Sequence, residues 1–334
     1  MLAELADLRG VSGDEGRVRD YLMEKLKGYR VKTTVDTMGN LLVHREGKSG
    51  RPRVMLAAHM DEVGLMITKI NKNGMFKFET IGGIDSRILP AKRVLVGPEG
   101  LPGVIGVKPV HLQKENERNK PFDLETLSID CGFSSREKAE KQVGVGDYAS
   151  FDASCTALGD GYYRGKAFDD RAGCLTLLEL LMEDNGLAFD AAFTVQEEMG
   201  VRGAMVAAYS MQPQIALALE ATAAADTPDS ENDLISTRLG AGPVISMMDR
   251  TILISKEMRN KLVQAAEKAK VAYQFRSFTG GGTDAGSISL SREGVQCAVL
   301  SVPCRYIHSP HSILNESDRQ SALALIRAWL EMVQ

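Results

Sequence analysis

VMLAAHMDEVG, residues 54–64, sets the fold class of this chain. Its first five residues are an unbroken apolar run that ends on His59. A short run of this kind suits a strand buried on both faces, as in a parallel sheet covered by helices. Ligands collect at the carboxyl ends of such strands, which makes His59 a candidate site residue. Asp61 follows two residues later, on the same face if the strand continues. There it can accept a hydrogen bond from the imidazole and fix its tautomer.

Three more strand-like runs lead to metal-ligand residue types. Residues 191–195 lead into Glu197 and Glu198 of TVQEEMG, residues 215–219 end at Glu220 of ALEAT, and residues 297–302 precede His308 of RYIHSP. Asp169 stands in the loop KAFDDRAG, just ahead of an apolar helix over 172–182. Near the start, Ser12 and Glu15 fit a capping box ahead of Val18, Leu22 and Leu26 at helical spacing. Residues 40–43 read as a strand and 50–52 as a turn. Residues 256–270 read as an amphipathic helix. A final helix begins at Ser317 with Gln320 completing a second capping box, and buries Ala322, Ile326, Trp329, Leu330 and Val333.

Between these parts the texture changes. Short β-like runs at 65–70, 75–81, 93–96 and 103–107 are punctuated by Asn73-Gly74 and by Pro98, Gly100 and Pro102. That is the pattern of a small, mostly antiparallel β domain. Its polar loop at 113–120 reads as solvated surface. The expected organisation is an α/β domain, residues 1–63 and 157–334, interrupted by a β domain at 64–156.

Composition excludes several classes. A formal charge of −4 over 334 residues gives no basic field for nucleic acid. No apolar run approaches the roughly 18–20 residues of a membrane span. Glu4 and Asp7 fall where a signal peptide needs a basic start and an apolar stretch. Five cysteines with no CxxC pair argue against a disulfide framework or a structural zinc site. The expectation is a cytoplasmic protein with reduced thiols.

Two histidines and three carboxylates exceed what one open catalytic zinc needs. They suit two metals sharing a bridging carboxylate, with Zn²⁺, Co²⁺ or Mn²⁺ preferred over Ca²⁺ by the mixed nitrogen and oxygen donors. Ions about 3.5–4 Å apart hold a water or hydroxide and lower its pKa toward about 7. A further carboxylate must carry the proton to the leaving amine, and the doublet Glu197-Glu198 can supply both a ligand and that base. Asp170 competes with Asp169 for the metal, one of them being free to cap the helix. His311 competes with His308, and Asp226 with Glu220. His44 reads as a solvated strand end and His111 as an interface or packing residue. The glycine run at 280–282 lacks the lysine of a phosphate loop. Thr283 and Asp284 after it either contact substrate at the cleft rim or cap the following helix.

AAHMDEVG, GKAFDDRAG, TVQEEMGVRGA, GGGTDAG and RYIHSP, in this order, resemble the M42 family of metallo-aminopeptidases. That family includes tetrahedral and glutamyl aminopeptidases, and some members are labelled endoglucanases. The resemblance spans essentially the whole chain. It implies a zinc-exopeptidase-like α/β/α sandwich with an inserted small β-barrel-like dimerisation domain. It also implies two divalent ions per subunit: His59 and Glu220 on one, Glu198 and His308 on the other, Asp169 bridging, and Glu197 as general acid/base. Peptides with a free N-terminus are the implied substrates, and dimers assembling into a hollow tetrahedral dodecamer the implied state. The family usually has Asp where this chain has Glu220. The extra methylene moves the carboxylate by about one carbon–carbon bond, against a tolerance of about 0.2 Å in metal sites. Two other readings compete: a di-metal deacylase of N-acyl amino acids, and a non-catalytic metal-binding assembly protein. Endoglucanase chemistry has little support, since it needs a carboxylate pair and no metal. The chain also has one Trp and no aromatic-rich sugar platform.

Overall fold

A computed structural model describes residues 1–45, 53–115, 120–227, 237–276 and 280–333. The turn expected at 50–52 and residues 116–119 of the polar loop lie outside the described residues. The strands of the first part are β1 Lys32–Val35, β2 Leu41–Arg45 and β3 Val54–His59. Next come β4 Gly64–Ile70, β5 Phe76–Ile81, β6 Arg93–Val96, β7 Leu101–Gly106, β8 Ser128–Asp130 and β9 Tyr148–Phe151. The last part contains β10 Thr156–Leu158, β11 Tyr162–Gly165, β12 Phe189–Thr194, β13 Ile215–Ala224, β14 Val244–Ile245, β15 Gln274–Phe275, β16 Gln296–Arg305 and β17 Ser312–Asn315.

β3 has every residue buried, as its apolar run requires. It lies between β12 and β13, parallel to both, and β13 runs parallel to β16. This parallel centre widens through antiparallel neighbours into one sheet, in the order β1-β2-β12-β3-β13-β16-β17-β11-β10. The apolar helix Phe168–Met182 packs on β3, β13 and β16, with Glu316–Val333 beside it. Arg202–Met211 and Asp284–Ser289 pack on each other and also on β3. Helices thus cover both faces in an α/β/α arrangement. Trp329, with no exposed surface, anchors the last helix to this core. Full burial of a large apolar side chain contributes roughly 1.5–3 kcal/mol.

β4-β5-β8-β7-β6-β9 close into a barrel with its own core, including Ile67, Phe76, Val94, Ile105, Ile129 and Phe151. β4 pairs with β9, so the barrel's two chain connections lie side by side, next to the His59 end of β3. Closure leaves no free sheet edge in this small body. No described helix is long and apolar enough to cross a membrane.

Three local expectations are corrected. Ser12 does not cap the helix Gly16–Lys25: its hydroxyl donates to Asp61 Oδ2 at 2.6 Å, and the Glu15 carboxylate accepts from Gly13 and Gln196. The last helix starts at Glu316, where Asn315 Oδ1 accepts the Ser317 N–H at 2.9 Å, and Gln320 donates to Glu316 instead. β13 continues past Glu220 to Ala224, because β16 pairs with it along its whole length. Glu220 therefore points out of a strand and not from its end.

Candidate metal centre

β3 delivers His59 to the cleft, almost completely buried. Its Nδ1 lies 3.1 Å from the Asp61 carbonyl oxygen and 3.4 Å from Asp61 Oδ1. With those acceptors on Nδ1, one proton belongs there, which leaves Nε2 as the nitrogen that would offer its lone pair to an ion. That nitrogen is 3.1 Å from Asp169 Oδ1 and 3.8 Å from Glu220 Oε2.

His308 repeats the arrangement from the other side. Its Nδ1 is 2.8 Å from the carbonyl oxygen of Gly83, in the barrel segment after β5. Its Nε2 is 3.1 Å from Asp169 Oδ2 and 3.2 Å from Glu198 Oε1. Asp169 therefore offers one carboxylate oxygen to each histidine. Ligand atoms of His59, Asp169 and Glu220 all lie within 4.8 Å of one another, as do those of Asp169, Glu198 and His308. Donors around a tetrahedral ion with bonds near 2.0–2.1 Å sit roughly 3.3 Å apart. The observed separations of 3.1 to 3.8 Å fit that requirement. Four carboxylates (Asp169, Glu197, Glu198 and Glu220) line one cleft, a charge that two divalent cations would balance.

The local backbone explains how these groups meet. Asp169 and Asp170 have non-helical dihedrals at the start of Phe168–Met182, and the peptide between them is cis. Asp170 turns inward and its Oδ1 accepts the Gly173 N–H at 3.0 Å, a helix cap. Asp169 alone of the pair lines the cleft. After β12, Gln196 and Val201 adopt left-handed dihedrals around the Glu197-Glu198 turn. The N–H groups of Glu197 and Glu198 donate to Asp61 Oδ1 and Oδ2 at 3.0 and 3.1 Å. Asp61 thus holds the acid doublet as well as His59. Glu220 uses its extra length to accept the Asp284 N–H on Oε1 at 3.1 Å, leaving Oε2 toward His59.

Thr283 and Asp284 are buried. Thr283 donates to Asp249 Oδ2 at 2.9 Å, and the Asp284 carboxylate accepts from the Thr194 hydroxyl. Thr283 still lines the cleft, but neither side chain caps the following helix. The competing residues are elsewhere. Asp226 is paired with Arg305 at 2.7 Å, His44 faces Asp190 at the surface, and His111 and His311 are exposed.

Burial by itself would lower both histidine pKa values. Hydrogen bonds to Asp169 and Asp61 outweigh it and raise His59 well above the ordinary range. Bonds to Asp169 and Glu198 raise His308 to about 11. For Asp169, burial works upward, and the bonds from His308 and His59 overcome it and lower the carboxyl. Burial, then neighbouring acids, raise Glu197 and Glu220 well above the usual carboxylate range. Burial likewise raises Asp284 to about 6. These are the signatures of a site built for charge compensation.

Several members of the site carry no readable sequence signal. The Gly83 carbonyl is main chain, and Asn40, which accepts the Val195 N–H at 2.9 Å, lies far away in sequence. Gly82 is visible only afterwards. Its φ is +79°, and a Cβ there would come 2.7 Å from Val63 and 3.3 Å from Glu198. Arg250 and Arg276 also line the cleft, whose volume is about 530 Å³.

A family model described as M42 glutamyl aminopeptidase matches residues 39–325. The chain is 36% identical to a putative aminopeptidase of Acetivibrio thermocellus, covering 98% of this chain and 96% of that protein. It is 32% identical to a lysyl aminopeptidase of Pyrococcus furiosus, covering 99% and 96%. An aminopeptidase structure from the archaeon Desulfurococcus kamchatkensis superposes with a TM-score of 0.93 at 37% identity, covering 100% and 96%. The TET1 peptidase of Pyrococcus horikoshii, which can assemble into a tetrahedron or a large octahedral shell, gives 0.87 at 35%, covering 98% and 97%.

Proposed function

The chain belongs to the M42 glutamyl aminopeptidase family, and from that premise we propose that it is a di-metal aminopeptidase acting through Glu197 as general acid/base. The observation that carries this reading is Asp169, whose two oxygens face Nε2 of His59 and Nε2 of His308, each at 3.1 Å.

His59, Asp169 and Glu220 would hold one divalent ion, and Asp169, Glu198 and His308 a second, as Zn²⁺, Co²⁺ or Mn²⁺. When bound, such ions supply Lewis acidity to a carbonyl oxygen and acidify water. Glu197, half-buried in the same cleft, takes a proton from the attacking water and returns it to the leaving amine. Asp61 fixes the position of that carboxylate through the Glu197 N–H. Thr283 lines the same cleft and is assigned a substrate contact. Asp284 is assigned the support of Glu220.

The reading extends to organisation. Residues 1–63 and 157–334 form the catalytic domain, and 64–156 a dimerisation domain whose exposed Val104, Val110, Leu112 and Val145 supply apolar contact surface. Dimers assemble into a tetrahedral dodecamer, as the relation to a shell-forming peptidase suggests. Five free cysteines fit a reducing, cytoplasmic setting. The cleft lining holds no Phe, Tyr or Trp among the described residues, which leaves a sugar platform without support.

Family relatives named for lysyl and for glutamyl substrates leave the preferred N-terminal residue open. The test is hydrolysis of aminoacyl p-nitroanilides, its loss with a chelator, and comparison of a free with an N-acetylated peptide. Cleavage of the free peptide alone is expected. Preference for the acetylated form would turn the reading to a deacylase, and no turnover with fewer than two ions bound would turn it to a non-catalytic assembly protein.

A further inference from the structure

The stretch GKAFDDRAG carries two cations that the hydrolytic chemistry leaves without a role. Lys166 and Arg171 flank the Asp169-Asp170 pair, and both are almost fully buried, as is Glu62. Lys166 Nζ donates to Glu62 Oε1 and Oε2 at 2.7 and 2.8 Å and to the Leu8 carbonyl at 2.8 Å, which uses all of its protons. Glu62 Oε1 also accepts the Gly10 N–H at 3.1 Å. Arg171 Nε donates to the Met60 carbonyl at 2.8 Å, and its Nη1 to the Leu5 carbonyl at 2.6 Å. From the same helix, the Cys174 thiol donates to the His59 carbonyl at 3.0 Å.

Two stretches of chain are joined by these contacts. His59, Met60 and Glu62 belong to the one that delivers His59 and Asp61, and Lys166, Arg171 and Cys174 to the one that delivers Asp169. The 3.1 Å separation of His59 Nε2 and Asp169 Oδ1 is therefore set by how the two are tied. The Lys166–Glu62 pair also borders the metal centre. A cavity of about 10 Å³, room for about one water molecule, is lined by Glu62 and Lys166 together with Asp169, Glu198 and His308.

Stability alone gives no reason for the pair. Taking two charges out of water is costly, and apolar side chains of similar volume in place of a buried ion pair are often neutral or stabilising. What apolar side chains lack is direction, since only hydrogen bonds hold two loops at a set distance and angle. Resting on the two-ion aminopeptidase reading, we propose that Lys166 and Glu62 are a positioning pair that sets the spacing of His59 and Asp169, and so the geometry of the ion that those two residues share. The pair itself touches neither substrate nor ion.

The experiment uses the full chain, freed of metal by a chelator, with Co²⁺ as the probe. Wild type is compared with Glu62→Gln and with the double variant Lys166→Met/Glu62→Leu, which removes both charges together. Melting without metal reports on the fold, visible absorption of bound Co²⁺ on ligand geometry, competition with a chromogenic chelator on affinity, and Leu-p-nitroanilide on kcat and KM. The double variant is expected to melt close to wild type. One of its two Co²⁺ ions should be held roughly 10- to 100-fold more weakly, with a changed absorption band, and kcat should fall at saturating Co²⁺ while KM holds. Glu62→Gln should show the same spectral change. Wild-type affinity and absorption in a variant that folds would overturn the inference. So would failure of both variants to fold, since the pair would then serve the fold itself. Wild type that binds two Co²⁺ and cleaves no free-amino substrate would overturn the aminopeptidase reading alone, and the absorption comparison would still decide the inference. Wild type that takes up fewer than two ions would overturn both.

Discussion

Asp61 Oδ1 accepts the main-chain N–H of Glu197 at 3.0 Å, so the acid just after β3 holds the proposed general base just after β12. Its other oxygen takes the Glu198 N–H and the Ser12 hydroxyl, and its carbonyl oxygen faces His59 Nδ1. Asp61→Asn replaces one acceptor oxygen by a donor facing these N–H groups. Partners of this kind usually cost 10- to 100-fold in activity or metal affinity when changed, and a fall of about that size in kcat is expected at saturating metal. Steady-state kinetics check it, and an undiminished kcat would remove Asp61 from the positioning role.

Glu197→Gln keeps the shape of the side chain and removes its proton-carrying capacity. Loss of a general acid/base typically costs about 10²- to 10⁴-fold, and kcat should fall by that amount with metal content as in wild type. Retained activity would assign the base elsewhere.

Metal uptake should release protons. In the metal-free protein His59 and His308 are both held protonated by the carboxylates around them, His308 to about 11. An ion needs the neutral imidazole, so each binding event expels protons and affinity rises as pH increases through the neutral range. Calorimetric titrations in buffers of different ionisation enthalpy measure the number released. Binding without proton release would contradict the arrangement described here.

Glu15 should make stability depend on pH. Burial, against hydrogen bonds from Gly13 and Gln196, raises its carboxyl from 4.5 to about 7. A raised folded pKa means that the folded state holds the proton more tightly than the unfolded one. The resulting stabilisation is complete below about 4.5 and is lost as pH rises through about 7. Its ceiling is about 3 kcal/mol, from 1.36 kcal/mol per unit. Chelator-treated Glu15→Gln should melt above wild type at pH 8, and the gap should close toward pH 5. A gap independent of pH would argue against a raised carboxyl.

Much of this was readable from the residues. The run at 54–58 gave a buried parallel strand, because a sheet covered on both faces admits only apolar side chains there. Asp169, Glu197, Glu198 and His308 stood out as candidates by residue type and place, with Asp170 and His311 as competitors, and these four line one cleft. Ser12 and Glu15 misled because a capping pattern is local, whereas Asp61 and Gln196 compete for them from distant parts of the chain. The end of β13 was misjudged because pairing with β16 extends a strand beyond its apolar run. The Gly83 carbonyl and the cleft-lining Arg250 and Arg276 were out of reach, since their place depends on the barrel and on loops that only the folded chain brings together.

The central claim is a two-ion centre bridged by Asp169, and ion counting tests it most directly. Chelator-treated protein is saturated with Zn²⁺ or Co²⁺, freed of excess ion, and analysed for metal per chain, alongside Asp169→Ala. Two ions per wild-type chain and fewer than one in Asp169→Ala are predicted. A single ion in wild type, or two retained without the Asp169 carboxylate, would contradict the bridge.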